Sequence, residues 1–262
     1  MNKWLQFLPT VSHAQKRPGR APSLNEGAND YSEKEGSQSN SSKIDEQTTN
    51  SASERTAEAI PVTPRPRRKR VIVAMTGATG AILGIRLLEQ LRQLDVETHL
   101  VMSKWAEATI TYETDFKIPQ VRALATKAYS SQDVSAPISS GSFRIDGMFV
   151  VPCSMKTLSS IASGYGDDLI SRACDVTLKE RRRLIVVARE TPLTGIHLEN
   201  MLRVTNNGGI IFPPVPAFYI RPSSVDDLVN QSVGRMLDLI GIDAGNFERW
   251  DGFRKPTHSK HM

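Results

Sequence analysis

Cysteine and long apolar runs are both scarce in this chain. Only Cys153 and Cys174 occur among its 262 residues. Two cysteines build neither a disulfide framework nor a four-cysteine zinc site, so the composition favours a reducing compartment. No apolar run approaches the roughly 20 residues that a transmembrane helix needs. The sequence therefore argues against a disulfide-stapled secreted domain and against a membrane-spanning protein.

The signatures of common dinucleotide enzymes are also missing. The glycine turn within Val71–Gly84 has the spacing G-x-x-G-x-x-x-G, whereas dinucleotide folds use G-x-G-x-x-G. The second predicted strand, Val96–Met102, ends in Ser103 and Lys104 and not in the acidic residue that holds a ribose. No tyrosine is followed four residues later by lysine, the catalytic pair of short-chain dehydrogenases. These absences disfavour a dehydrogenase.

Apolar residues are rare before residue 70. Residues 27–58 are rich in Ser, Asn, Gln, Glu and Lys, and such a segment buries too little apolar surface to offset its ordering entropy. We therefore predict a disordered extension over residues 1–69, one domain over residues 70–253 and a short tail over residues 254–262. The extension holds 12 basic and 8 acidic residues up to Arg70, against 21 and 20 in the rest, so the domain is nearly neutral. A nearly neutral domain is not typical of nucleic-acid binding.

Two features of the extension concern targeting. Residues 1–22 contain Lys3, Lys16, Arg17 and Arg20 and no acidic residue, with apolar side chains spaced for one helical face. This composition resembles a mitochondrial presequence, although Pro9 interrupts the helix. The basic run over residues 65–70 is interpreted as a solvated linker end. The predicted location is the mitochondrion.

The most informative stretch that is present is VIVAMTGATGAILG, residues 71–84. Its first residues predict a buried strand, and the apolar spacing after Gly80 predicts a helix. Backbone N–H groups converge where a glycine turn meets a helix N-terminus, and the helix dipole favours an anion there. The hydroxyls of Thr76 and Thr79 would add donors. The sequence therefore predicts a phosphate-binding turn.

Further strands alternate with helices along the chain. After Val96–Met102 we predict strands at Gly147–Pro152, Leu184–Ala188 and Ile210–Phe212, and a last helix that begins at a Ser224–Asp227 capping box. This alternation predicts an α/β fold with a parallel sheet, where ligands bind outside the carboxyl ends of the strands. The polar residues at those predicted ends are Thr79, Ser103, Ser154–Thr157, Arg189 and Glu190.

Several runs, in order over residues 70–253, resemble the flavin prenyltransferase family, the bacterial UbiX and fungal Pad1 proteins, with the fungal members most similar. The runs are MTGATGAILGIRLLE, ETHLVMSKWA, YETD, SSGSF, VPCSMKTL, LISRACDVTLKERR, RETPLTGIHLENML and PPVPAFYIRP. The resemblance implies a Rossmann-like (flavodoxin-like) three-layer flavoprotein fold and a dodecamer. It also implies the transfer of a dimethylallyl group from dimethylallyl monophosphate to N5 and C6 of reduced FMN, without a metal. The product, prenylated FMN, would serve a UbiD/Fdc-type decarboxylase.

The resemblance also assigns roles to residues, some of which would act from a neighbouring subunit. The acids at the reacting centre would be Glu113 and Glu190. Trp250 also matches a position near the site. Apart from the resemblance, an allyl group and a flavin need an apolar pocket, which Trp105, Phe143 and Phe218 would help to build. Thr79 stands where the family usually has serine. The FMN contacts would be Gly77, Ala78, Thr79, Ser103, Ser154, Met155, Lys156, Thr157 and Arg189, and the prenyl phosphate contacts Tyr219, Arg235, Lys179 and Arg172.

Two other functions stay open at this stage. One is an FMN-dependent decarboxylase that acts directly on its substrate, and the other is a non-catalytic FMN-binding regulatory protein. Without the resemblance, Lys179–Arg183 would be a solvated helix end. Cys153 has no nearby base in sequence that would make it a nucleophile. His197 would pack on an apolar helix.

Overall fold

The computed structural model describes residues 67–245 and 247–252. The described chain forms six strands and seven α-helices. The strands are β1 (Arg70–Met75), β2 (Glu97–Met102), β3 (Lys127–Ser130), β4 (Gly147–Cys153), β5 (Arg183–Ala188) and β6 (Ile210–Ile211). The helices are α1 (Ala81–Gln93), α2 (Lys104–Glu113), α3 (Ile118–Leu124), α4 (Met155–Ser163), α5 (Leu169–Lys179), α6 (Gly195–Asn206) and α7 (Val225–Asp238). Short 3-10 turns occur at Pro137–Ser139 and Phe218–Ile220.

All six strands pair in parallel, in the order β3-β2-β1-β4-β5-β6. This is the strand order of the Rossmann fold, so the predicted α/β class is confirmed. The order reverses between β1 and β4, because the chain leaves β1 towards β2 on one side and later returns to β4 on the other. Ligands of such sheets bind in the crevice at that reversal.

Each central strand buries both of its faces, because helices cover the sheet on both sides. On β1, Val71 and Val73 face a core shared with α1, α2 and α7, whereas Ile72 and Ala74 face a core shared with α4 and α5. Strands buried on two sides read as continuous apolar runs, which is why the run Val71–Met75 was recognisable in the sequence.

Side-chain caps fix where several helices begin. Ser103 Oγ accepts a hydrogen bond from Ala106 N at the start of α2, and Ser154 Oγ accepts one from Thr157 N at the start of α4. The predicted capping box at α7 is present, with Asp227 N donating to Ser224 Oγ and Ser224 N donating to the Asp227 carboxylate. These caps place polar side chains directly after the strands.

One strand is missing from the prediction. The sequence predicts five strands and none between Val96–Met102 and Gly147–Pro152, where the structure has β3. Strand β3 spans only four residues at the sheet edge and is mostly exposed, so it has no apolar run to mark it.

Residues 67–70, the described part of the basic run, bind the domain. The interpretation of this run as a solvated linker end is therefore wrong for these residues. Arg67 binds both oxygens of Asp146 at 2.9 Å, and Arg68 Nε donates to Asp95 O. Lys69 Nζ donates to the carbonyl of Gly241 at 2.6 Å, just after α7. Charged side chains that find partners on the domain tie the chain to it before β1 begins.

Some predictions lie outside the described residues. These are the disordered extension and the presequence up to residue 66, and the tail over residues 254–262. Among the helices that the structure does describe, none combines the length and apolarity that crossing a bilayer requires.

Candidate functional site

Hydrogen bonds tie the loops of four neighbouring strands together beyond their carboxyl ends. Ser103 N donates to Met75 O at 3.0 Å, which joins the loops after β2 and β1. Arg189 N donates to Cys153 O at 3.2 Å, which joins the loops after β5 and β4. The polar residues predicted at these strand ends therefore lie along one edge of the sheet, across the point where the strand order reverses.

Thr76 links the remaining pair of loops. Its hydroxyl donates to Pro152 O at 2.8 Å and accepts from Ser154 N at 2.8 Å. The side chain is buried, so the prediction that Thr76 adds a donor for a ligand is wrong. Its hydroxyl instead holds the turn after β1 against the start of α4.

The glycine turn lies close to α2. A Cβ at Gly77 would overlap the Cβ of Trp105, so only glycine permits this approach. Gly80 has φ +97°, a left-handed conformation that glycine adopts without strain. The two glycines thus bring the turn across the ends of β1 and β2.

Glu113 caps α1. Its Oε2 accepts hydrogen bonds from Gly80 N and Ala81 N, each at 2.9 Å. A carboxylate at a helix N-terminus is stabilised by the exposed N–H groups and the helix dipole. The anion at the start of α1 in this structure is therefore a side chain of the protein, and phosphate binding at the glycine turn stays a prediction. Glu113 itself is the last residue of α2.

Further donors for a phosphate lie on the neighbouring elements. Ser103 and Ser154 accept the capping bonds of α2 and α4, but a hydroxyl that accepts can still donate its own hydrogen. Exposed Lys156 and half-buried Arg189 add positive charge at the ends of β4 and β5. Hydroxyls, a guanidinium and helix N-termini are the groups that bind phosphate, so this edge fits a phosphorylated ligand such as FMN.

A small apolar cavity of about 190 Å³ adjoins the glycine turn. Thr79, Arg189, Pro214, Pro216 and Leu228 are among the residues that line it. The cavity brings Thr79, the departure from the usual family serine, next to the predicted phosphate contact Arg189.

A larger cavity of about 620 Å³ brings together two of the four residues predicted to hold the prenyl phosphate. Tyr219, Arg235 and Trp250 all line it, although they are spread over 32 positions of the chain. The rings of Tyr219 and Trp250 meet edge to face with centroids 5.6 Å apart. Gln231 Nε2 donates to the Tyr219 hydroxyl at 3.0 Å, which orients that hydroxyl. A phenol and a guanidinium beside aromatic walls suit a phosphate ester with an apolar tail.

Several predicted residues lie away from both cavities. Lys179 ends α5 and pairs with Glu180 at 2.7 Å, near the amino ends of the strands. Phe143 also lies at that end, where Arg70 stacks on its ring at 4.5 Å. Arg172 pairs with Asp175 and donates to Ser139 O. One chain alone does not bring these three residues to Tyr219 and Arg235.

The other candidates are near the strand ends but exposed. Glu190 follows Arg189 and accepts a hydrogen bond from Thr191 N at 3.0 Å. Trp105 and Phe218 have 73% and 71% of their surfaces exposed, so neither is enclosed as an apolar wall in the single chain. Exposed Glu190 can therefore approach a ligand. Trp105 and Phe218 would form the walls of a closed pocket only if another surface packed against them.

The surroundings of Cys153 and His197 decide whether either residue could be catalytic. Complete burial raises the pKa of the Cys153 thiol well above its usual range, which excludes a thiolate nucleophile at neutral pH. His197 is not packed against an apolar helix as expected, because it forms a capping box with Thr194 at the start of α6. Neither residue has the surroundings of a catalytic group.

Comparison with known proteins identifies the family. The model of the Flavoprotein family matches residues 61–237. The flavin prenyltransferase PAD1 of Saccharomyces cerevisiae mitochondria is 62% identical over 192 residues, which cover 73% of this chain and 79% of that protein. The chain belongs to the UbiX/Pad1 family of flavoproteins.

Bacterial relatives and solved structures of this flavoprotein family agree. The flavin prenyltransferase UbiX of Thauera aromatica is 51% identical over 183 residues, covering 70% of this chain and 94% of that protein. A crystal structure of AnUbiX (PadA1) in complex with FMN and dimethylallyl pyrophosphate is 68% identical and superposes with a TM-score of 0.71, covering 72% of this chain and all of that one. A dodecameric FMN-dependent UbiX-like decarboxylase from Escherichia coli O157:H7 is 54% identical with a TM-score of 0.69, covering 70% and 100% of the two chains.

Sequence reasoning missed two residues of this flavoprotein's larger cavity. Gln231 orients the Tyr219 hydroxyl, and Arg249 lines the cavity beside Arg235. Gln231 precedes Arg235 by one helical turn of α7, so helical spacing could have indicated it. Nothing local marks Arg249, because it lies beyond the last helix in a segment without periodic pattern.

Proposed function

We propose that this flavoprotein is a flavin prenyltransferase, which transfers a dimethylallyl group from its phosphate ester to N5 and C6 of reduced FMN. The observation that carries the proposal is that Tyr219, Arg235 and Trp250 line one cavity while the phosphate-binding strand ends lie along the same edge of the sheet. The relatives at 51–62% identity bear the same activity in their names. Dimethylallyl monophosphate is the donor expected from the sequence.

FMN is the acceptor substrate of the proposed reaction, and its reduced ring supplies the nucleophilic N5 and C6. Its phosphate and ribityl chain would be held by backbone and side-chain donors at the ends of β1, β2, β4 and β5. The residues assigned to this task are Gly77, Ala78, Thr79, Ser103, Ser154, Met155, Lys156, Thr157 and Arg189. The hydroxyls and cations of this set can hold a phosphate by hydrogen bonds and charge, without a metal ion.

The larger cavity has the task of stabilising the leaving phosphate. As the allylic carbon–oxygen bond breaks, negative charge grows on the phosphate oxygens. Arg235 and the Tyr219 hydroxyl are positioned donors for that charge, and donors aimed at developing charge lower the barrier. Gln231 keeps the Tyr219 hydroxyl in place.

Glu190 and Glu113 are the proposed proton-handling groups. The bond at N5 forms as the ester's carbon–oxygen bond breaks and the N5 proton is lost. The bond at C6 consumes the remaining double bond of the dimethylallyl group, which gains a proton at its other carbon while C6 loses one. These transfers need a proton acceptor and donor close to the flavin. Glu190 follows Arg189 at the end of β5 and is exposed. Glu113 lies at the glycine turn through its two hydrogen bonds to α1, so it reaches the same edge from α2.

A second copy of the chain completes the proposed site. Lys179, Phe143 and Arg172 lie apart from the two cavities, whereas the proposed chemistry uses Lys179 at the prenyl phosphate. Exposed Trp105 and Phe218 would become walls of a closed pocket when another subunit packs on them. The dodecameric relative supports assembly into a homo-oligomer of that size.

We also propose a recipient for the product and a location for the protein. The product would be passed to a UbiD/Fdc-type decarboxylase, which uses prenylated FMN. The yeast relative is named as mitochondrial, and the basic, acid-free residues 1–22 support the same location for this protein. Residues 1–69 would then serve targeting, and residues 70–253 would form the flavin prenyltransferase domain.

Mass spectrometry of the flavin tests the proposed reaction. The protein is incubated without oxygen with reduced FMN and dimethylallyl monophosphate, and the flavin is then extracted. A flavin heavier by one prenyl unit is expected. A flavin of unchanged mass, together with release of carbon dioxide from an aryl acid supplied alone, would instead favour the direct decarboxylase.

Subunit complementation tests the shared site. The variants Lys179→Ala and Glu190→Gln should each be inactive by themselves. Mixed oligomers of the two should regain part of the activity, because some sites then combine an intact Lys179 from one copy with an intact Glu190 from another. Mixed oligomers without activity would show that both residues serve the same chain.

A further inference from the structure

Lys179 is held in a defined place although it lies at the surface. Its ammonium donates to Glu180 Oε1 at 2.7 Å, and Arg182 Nη2 lies 3.7 Å from the other oxygen of that carboxylate. The hydrogen bond from Lys179 holds the pKa of Glu180 below its usual range, so the carboxylate is charged at neutral pH. One negative group thus binds two positive ones, and the three groups together remain positive.

The end of α5 explains why these neighbours in sequence face each other. Arg182 N donates to Thr177 O at 3.0 Å, and Arg181 N donates to Leu178 O at 2.9 Å. These are the two hydrogen bonds of a Schellman turn. Glycine usually takes the left-handed position of this turn, which Arg181 occupies here with φ +56°. A carboxylate at the C-terminal end of a helix opposes the helix dipole, so helix stability does not explain Glu180.

A neighbouring loop supports the ion pair. Arg182 donates to the carbonyl of Gly141 at 2.7 Å and to that of Phe143 at 2.9 Å, which fixes the loop against the end of α5. A Cβ at Gly141 would overlap Glu180 Oε1 and would lie 2.9 Å from Lys179 Nζ. The pair therefore rests on the bare backbone of this glycine.

We propose that Glu180 is a positioning residue for Lys179, which it fixes on the Gly141 loop so that the ammonium meets the prenyl phosphate of a second copy of the chain. The inference rests on the proposed function, which assigns Lys179 to that phosphate. An ammonium has three N–H donors, and the bond to Glu180 leaves two of them for phosphate oxygens. Ordering a long side chain before the ligand arrives lowers the entropy cost of binding. Arg182 offsets the negative charge that Glu180 brings near the phosphate.

Charge alone predicts the opposite effect of Glu180. A carboxylate near an anion site repels the anion, so removing it would strengthen phosphate binding if Glu180 only neutralised Lys179. Removing a positioning residue weakens phosphate binding, because Lys179 can then leave the Gly141 loop. The sign of the change in affinity therefore distinguishes the two roles.

Calorimetry with inorganic phosphate measures that sign without catalysis. The full-length protein is first loaded with FMN, so that the FMN phosphate already occupies its own site. Glu180→Gln should weaken phosphate binding about three- to tenfold, the size of one net hydrogen bond, at an unchanged melting temperature. Glu89→Gln is the matched control, since Glu89 also pairs with an arginine, Arg86 of α1, and should change neither quantity. Stronger or unchanged phosphate binding by Glu180→Gln, or no phosphate binding by the wild type, would overturn the proposal.

A double variant tests whether Glu180 acts through Lys179. Lys179→Ala should itself weaken phosphate binding. Adding Glu180→Gln to it should cause no further weakening, because no ammonium is left to position. Further weakening in the double variant would mean that Glu180 affects the phosphate independently of Lys179, which contradicts the proposal.

Prenyl transfer distinguishes this inference from the proposed function. In Glu180→Gln, KM for dimethylallyl monophosphate should rise about three- to tenfold, and KM for reduced FMN should stay constant. If phosphate binding weakens in the variant but the wild type prenylates no flavin, the positioning role holds and the proposed function is wrong. If the wild type prenylates flavin and the variant keeps both KM values, the proposed function holds and the positioning role is wrong.

Discussion

Replacing Glu113 should separate the stability that its carboxylate gives to α1 from the proton transfer that we assign to it. The carboxylate accepts two hydrogen bonds, from Gly80 N and Ala81 N, and caps a helix that has no cap from its own N-cap residue. Glu113→Ala removes both acceptors. Glu113→Gln keeps one oxygen acceptor but removes the charge and the ability to take up a proton.

The structure sets the size of each effect. Loss of a helix cap costs about 0.5–2 kcal/mol, so Glu113→Ala should lower the free energy of unfolding by about 1 kcal/mol. In a domain of this size that corresponds to a melting temperature lower by about 2–4 °C. Glu113→Gln loses only the interaction of the charge with the helix dipole, about 0.3–1 kcal/mol. Both variants should slow prenyl transfer by about 10²- to 10⁴-fold, because both lack the proton acceptor.

Two measurements on the same preparations check these values. Thermal unfolding gives the stability, and anaerobic single turnover, followed by the mass of the extracted flavin, gives the rate. Glu107→Gln is the matched control, since Glu107 also belongs to α2 but pairs with Arg122 at its surface. Near-normal turnover of Glu113→Gln would refute the catalytic assignment. A rate loss only in Glu113→Ala, in proportion to its loss of stability, would mean that Glu113 acts through the cap alone.

Three further outcomes follow from contacts elsewhere in the fold. Deletion of residues 1–66 should leave the melting temperature and the turnover unchanged. Deletion of residues 1–69 removes the contacts of Arg67 with Asp146 and of Lys69 with the end of α7. It should lower the free energy of unfolding, measured by chemical denaturation, by about 1–2 kcal/mol. Burial lowers the pKa of His99 below 6.5, so the unfolded chain binds the proton more readily than the folded chain. The contribution of His99 to the free energy of unfolding is therefore present above pH 6.5 and is lost as the pH falls. His99→Gln should flatten this pH dependence between about pH 7 and 5, as measured by unfolding at each pH. Arg235→Ala and Tyr219→Phe should weaken use of the prenyl phosphate, roughly 10- to 100-fold for Arg235→Ala, while both variants retain FMN. Loss of FMN in parallel with activity, measured by the flavin absorbance of the purified variants, would contradict the separation of the two binding regions.

The parts of the fold that the sequence predicted are those with strong local signals. Val71–Met75 is apolar throughout because helices cover both faces of β1, and Ser224 with Asp227 forms the cap that its spacing indicated. Strand β3 was not predicted because it is an exposed edge strand of four residues. It is formed by pairing with β2, and its own composition does not indicate a strand.

The candidate site was predictable to the extent that it follows from parallel strands. Residues after such strands meet at one edge, so Ser103, Ser154 and Arg189 could be grouped before any coordinates. The cap that Glu113 places on α1 could not, because the carboxylate and its partners are 32 and 33 positions apart and no periodicity connects them. Arg249 was missed for the same reason, since its link to Arg235 passes through Asp238.

The separation of the predicted catalytic residues across the sheet has a topological cause. A helix that connects two parallel strands runs antiparallel to them, so α5 begins near the carboxyl edge and ends at the amino edge. Lys179 is the last residue of α5 and therefore lies opposite Arg189, which follows β5 at the carboxyl edge. No rearrangement of a loop brings the two together within one chain, because the length of β5 lies between them. If Lys179 acts on the prenyl phosphate, assembly is a condition of catalysis, and a mutation that only dissociates the oligomer should abolish turnover while leaving the flavin-binding edge of each chain intact.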